Sequence, residues 1–76
     1  MMNETMAATL IELRHDLHVT QDELAAMVGV ELRTIQRWEE GTQRPGPAMS
    51  RKLAGALGVP IEKVLAALDE SGAARD

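Results

Sequence analysis

The sequence predicts a compact all-α fold of five helices, on three observations. First, its apolar residues, 45% of 76, are almost all aliphatic, with Trp38 the sole aromatic side chain. Such a composition with few β-branched runs leans toward helices. Second, Gly29, Gly41, Pro47, Gly58 and Pro60 cut the chain into pieces of helix length. Third, apolar residues within each piece recur three and four apart, and no alternating strand pattern competes. The chain has room for one domain, near the lower limit for a core without staples. It has no cysteine, so helix packing must supply the stability that a disulfide or thiolate metal site would otherwise add.

The first helix is expected from Thr5 to Leu17, with Met6, Leu10, Leu13 and Leu17 forming one apolar stripe. The second opens at Thr20, where Thr20 and Glu23 make a capping-box pattern, and ends at Gly29. A third spans Leu32 to Glu40 and stops at Gly41, followed by a glycine- and proline-bounded loop to Pro47. Pro47 suits the first turn of a fourth helix, with Met49, Leu53 and Leu57 on one face and Gly58 at its end. Pro60 opens a fifth, in which Ile61, Val64, Leu65 and Leu68 have core spacing. The domain is thus expected over residues 1–68, with residues 69–76, small and charged, as a flexible tail. Only a few residues around Gly29 separate the second and third helices, which is the layout of a helix-turn-helix.

Charge is distributed unevenly. The net charge of −4 argues against a nucleic-acid partner if taken whole. By segment, residues 1–30 carry −4, residues 53–76 carry −2, and residues 31–52 carry +2, from Arg33, Arg37, Arg44, Arg51 and Lys52 against Glu31, Glu39 and Glu40. The middle is the only cationic part, although a solvated face would look the same. The apolar run Leu24 to Val30 is too short to cross a bilayer. The N-terminus, with Glu4 and no basic residue, does not read as a secretory signal. A cytoplasmic protein with no membrane partner is expected.

The third helix carries the chemistry. At about 100° per residue, Ile35, Trp38, Thr34 and Glu39 share one side, while Arg33, Gln36, Arg37 and Glu40 share the other and Leu32 lies at the boundary. The outward face therefore presents two guanidinium groups and an amide. Arginine matches the acceptors of guanine, glutamine matches adenine, and Leu32 can touch a thymine methyl group. Arg and Gln are also good helix formers that often just solvate a surface. Thr20 and Gln21, opening the preceding helix, sit where side chains and free N–H groups bind phosphates. Glu39 lies beside Ile35 and Trp38, where a lone carboxylate is costly. Arg14 flanks the apolar stripe of the first helix, so the two are expected to pair in a partly buried bridge.

These residues also carry a family resemblance. Leu13-Arg14, Thr20-Gln21-Asp22-Glu23-Leu24-Ala25 and Val28-Gly29-Val30 resemble the lambda-repressor-like, or Cro/XRE, helix-turn-helix family. Thr34 to Glu39, Gly41, Pro45, Leu53-Ala54 and Leu57-Gly58-Val59 continue the match over roughly residues 8 to 68. The resemblance implies five helices, with the third in the major groove of double-stranded DNA, usually as a dimer on a two-fold operator. It implies base-reading roles for Leu32, Arg33, Gln36 and Arg37, DNA contact for Gln21, a phosphate contact for Arg44, and a buried Arg14–Glu39 salt bridge. The chain departs from the family at His18, where glycine is usual, at Glu31, which replaces a Ser or Thr cap, and at Glu40. Together with the acidic balance of the chain, these departures imply modest, strongly salt-sensitive binding by a single subunit.

The function expected is a sequence-specific transcriptional regulator, most simply a repressor, working as a homodimer. The alternative is a protein-interaction helix-turn-helix, such as an antitoxin component holding a partner protein. No enzyme is expected. His15 and His18 fall on one expected helical face near Asp16, but a third metal ligand at suitable spacing is missing. No Ser–His–Asp arrangement or glycine-rich phosphate loop appears, so no catalytic residue, metal or cofactor is assigned.

Overall fold

A computed structural model describes residues 8–75, with side chains described to Glu70. Its elements are α1 (Leu10–Asp16), α2 (Gln21–Val28), α3 (Leu32–Glu40), α4 (Pro47–Leu57) and α5 (Ile61–Arg75). Among the described residues there is no strand.

Helix ends follow local chemistry, and at α1 this corrects the expected boundary. The helix starts at Leu10, not Thr5, because Thr9 forms a capping box with Glu12. Thr9 Oγ1 accepts the Glu12 N–H at 3.2 Å, and Glu12 Oε1 accepts the Thr9 N–H at 2.9 Å. The two bonds hold Thr9 extended, so Thr9 cannot be a mid-helix residue. Met6 and the rest of residues 1–7 lie outside the described residues. α1 also ends before Leu17, which is 38% exposed rather than part of the core stripe. His18 follows at φ 61, the left-handed exit that glycine usually makes. It therefore stands beyond α1 and does not share a helical face with His15.

The Thr20–Glu23 box caps α2 through bonds of 3.1 and 2.8 Å. In contrast, α3 opens on Glu31 with no side-chain cap, and Pro47 occupies the first turn of α4. Gly29, Gly41 and Gly58 close α2, α3 and α4 at φ between 71 and 85. The fifth helix overruns the expected boundary at Asp69 and continues to Arg75. Residues 69–75 contain no proline, and Glu70, Ala73, Ala74 and Arg75 are good helix formers.

One core joins all five helices. Leu10, Leu24, Ile35, Leu53, Val64 and Ala67 are fully buried where α5 meets α1, α3 and α4 and where α2 meets α3 and α4. Truncating any of these leucines to alanine should cost about 2–5 kcal/mol. Leu65, expected in the core, is 41% exposed; the fifth helix instead buries Val64, Ala67 and Leu68. For the site, the consequence is that α3 is gripped along one side by Ile35, Trp38 and Glu39, all buried, and open along the other.

Candidate nucleic-acid interface

The open side of α3 presents Leu32, Arg33, Gln36, Arg37 and Glu40, all exposed. Leu32 is 37% exposed, an apolar side chain kept at the surface at the start of the helix. Among the described residues, Arg33 and Arg37 make no ion pair. Their guanidinium groups are therefore available to an external acceptor.

Behind this face lies a polar chain through three helices. Arg14 and Glu39 meet across α1 and α3: Arg14 Nε donates to Glu39 Oε2 at 2.6 Å, with side-chain exposures of 11% and 3%. Arg14 Nη2 reaches Glu39 Oε1 at 3.4 Å. Arg14 Nη1 also donates to the Val19 carbonyl at 3.1 Å, tying the α1–α2 turn to the same group. A buried pair is tolerable when its remaining donors and acceptors are satisfied, and these contacts do that.

The chain then turns outward. Gln21 Nε2 donates to Glu39 Oε1 at 2.8 Å, and Gln36 Nε2 donates to Gln21 Oε1 at 3.4 Å. In the sequence Gln21 and Gln36 stand apart, one expected toward phosphate and one toward bases. Gln36 and Glu39 are three residues apart on α3, but nothing in the sequence places Gln21 of α2 against them, because that depends on how the two helices pack.

The remaining site residues fall into two groups. Thr20, at the mouth of α2, has its hydroxyl in the capping box, where it accepts the Glu23 N–H. Arg44, in the loop between α3 and α4, is exposed but not free: its Nη1 donates to Asp69 Oδ1 of α5 at 2.9 Å. That partner is not foreseeable from the sequence, where Asp69 falls in the expected tail. Among the described residues no group of three His, Asp or Glu side chains is arranged to hold a metal ion. No described helix is long and apolar enough to cross a membrane.

The helix-turn-helix family model matches residues 10–64, the span from α1 into α5. An uncharacterised HTH-type transcriptional regulator of Methanothermobacter thermautotrophicus is 38% identical over 68 residues, which cover 90% of this chain and 99% of that protein. An uncharacterised HTH-type transcriptional regulator of Bacillus subtilis is 41% identical over 59 residues, 76% of this chain but 42% of its own length. A Type II methyltransferase of Shigella sonnei is 45% identical over 47 residues, 58% of this chain and only 12% of the methyltransferase. No solved structure matches the chain significantly. Membership points to DNA binding rather than catalysis, and the methyltransferase likeness is confined to a small part of that enzyme. The matched span, the near full-length archaeal relative and the five-helix architecture agree: the chain belongs to the lambda-repressor-like (Cro/XRE) helix-turn-helix family of DNA-binding transcriptional regulators.

Proposed function

We propose that this protein is a sequence-specific, cytoplasmic transcriptional repressor that binds double-stranded DNA as a homodimer, with α3 in the major groove. The observation that carries this reading is the division of α3: Ile35, Trp38 and Glu39 hold it to the core, while Arg33, Gln36 and Arg37 are exposed on the opposite side. In this reading Arg33 and Arg37 take guanine O6 and N7, Gln36 takes adenine N6 and N7, and Leu32 meets a thymine methyl group. Thr20, Gln21 and Arg44 hold phosphates and set the register. Such a small domain represses most simply by occupying the site that polymerase needs.

Dimerisation follows from information content. A helix of nine residues reads only a few base pairs, too few for a unique site. Exposed Leu65 and half-buried Ile61 of α5, with Pro45 and Pro47, line an apolar recess flanked by Arg44 and Arg51, which supports a self-complementary contact there. Footprinting should then show two half-sites about one helical turn apart.

The deciding experiment selects bound sequences from random DNA and titrates Arg33→Ala and Arg37→Ala on the selected and scrambled sites. Each variant should lose about 1–3 kcal/mol on the selected site, with less effect on scrambled DNA. If both leave the specificity ratio unchanged, α3 is not the reader and the partner-holding alternative replaces this one.

A further inference from the structure

We infer that the buried Arg14–Glu39 bridge sets the direction of the base-reading amide, with Gln21 as the positioning residue between them. The inference rests on the reading role of α3 given above and adds to it a cause for the base that Gln36 prefers.

The argument is one of donors and acceptors. Glu39 is an ionised partner of Arg14, and a carboxylate only accepts hydrogen bonds. Gln21 can therefore meet Glu39 only through its NH₂ group, as the 2.8 Å bond shows. Its carbonyl oxygen is then committed to the other side, where only a donor fits. Gln36 supplies that donor through Nε2 at 3.4 Å. Each amide has two possible senses in isolation, and the fixed carboxylate at the inner end selects one for both. Gln36 is left with its Oε1 and its second N–H free. Those two groups form the acceptor–donor pair that adenine N6 and N7 require.

Glu39 can hold this polarity because it does not rotate freely. Arg14 engages both of its oxygens, and its side chain is 3% exposed. Gln21 is half-buried between bridge and surface, whereas Gln36 is exposed. Order is thus handed from the core to the surface through two bonds, and the reading amide is aligned before DNA arrives. A side chain aligned in advance loses less freedom on binding.

Binding of the full chain to its selected operator tests this, with the four base pairs substituted in turn at the position where Gln36→Ala loses its preference. Gln21→Met keeps the length and the Arg14–Glu39 bridge but removes both amide bonds. It should lower the adenine preference at that position by about threefold to tenfold, leaving the positions lost in Arg33→Ala and Arg37→Ala unchanged. The double variant Gln21→Met/Gln36→Ala should be no less selective there than Gln36→Ala alone. Equal weakening on all four base pairs would make Gln21 a phosphate contact only and overturn the inference. A loss of selectivity spread over the Arg33 and Arg37 positions would overturn it too, because it would mean that α3 had moved. If Gln36→Ala alters no position while the arginine variants do, this inference falls and the reading role of α3 stands. If none of the three alters any position, both fall.

A second measurement needs no variant. In the free protein the Gln21 side-chain NH₂ should exchange with solvent more slowly than that of exposed Gln43. Equal exchange rates would show that the link to Glu39 does not persist, and would overturn the inference.

Discussion

Two ion pairs among the described residues join positions 25 apart in sequence, yet they do opposite jobs. Arg14–Glu39 is buried, with side-chain exposures of 11% and 3%, and it joins α1 to α3. Arg44–Asp69 lies in solvent, with exposures of 53% and 72%, and joins the loop after α3 to α5. With sequence separation equal, the cost of bringing the ends together is similar, and environment decides what each pair is worth. Inside, low dielectric strengthens the attraction but also makes either charge alone very costly. Outside, water and salt weaken the pair and leave each partner able to change partners. The inner pair therefore fixes architecture, while the outer pair keeps an arginine available at the surface.

The comparison is broken most easily by removing one carboxylate from each pair. Glu39→Ala leaves Arg14 buried and uncompensated, at an expected cost of about 3–5 kcal/mol. For a domain this small that approaches the whole stability. Asp69→Ala should cost less than about 1 kcal/mol. Denaturant melts of the two variants check this. Similar losses for both would mean that burial does not separate the pairs. A sharper form replaces both inner charges, Arg14→Met with Glu39→Leu. That variant should recover most of the stability lost in Glu39→Ala, because no unpaired charge remains.

The same contrast explains what could be read from the sequence. The Arg14–Glu39 pairing was legible because a carboxylate placed beside Ile35 and Trp38 on a helix face demands a partner, and Arg14 occupies the matching edge of the first helix. The helix ends at Gly29, Gly41 and Gly58 were legible for a similar reason, since each needs a left-handed residue. Arg44–Asp69 was not legible, because exposed charges place no demand on their surroundings and many partners would serve. The start of α1 was missed although Thr9 and Glu12 carry the same capping pattern as Thr20 and Glu23. The apolar stripe through Met6 suggested a longer helix, and a local cap overrides periodicity. Leu65 shows the limit of spacing as a guide to burial. It follows Val64 on a helix whose core face is completed by the small Ala67, so a large side chain one position away is left outside. On the open face of α3 the exposed residue types were legible and the Gln21–Gln36 bond was not, since a bond between two amides depends on where α2 sits against α3.

Arg44 gives the next largest effect. If Arg44 leaves Asp69 for a DNA phosphate, Arg44→Ala should weaken binding to selected and scrambled DNA alike. The slope of log affinity against log salt should flatten by about one unit. Titrations at several salt concentrations measure both quantities. A loss confined to the selected site would make Arg44 a base reader. An unchanged slope would mean that Arg44 stays with Asp69 when DNA is bound, as Arg14 stays with Glu39.

The smallest effect is the most discriminating, and it concerns Asp69 itself. An exposed carboxylate 2.9 Å from Arg44 would compete with a DNA phosphate for the same guanidinium group. Asp69→Asn removes that competitor, so all DNA should bind somewhat more tightly, by less than about 1 kcal/mol, the ceiling for an exposed pair. The same substitution in an Arg44→Ala background should do almost nothing, because the cation that Asp69 occupies is gone. A double-mutant cycle on one DNA at one salt concentration reads this coupling directly. Equal tightening in both backgrounds would assign the effect to the overall negative charge of the chain. Tightening only where Arg44 is present would show that a pair weak enough to contribute little to folding still sets how readily the surface gives up a cation to DNA.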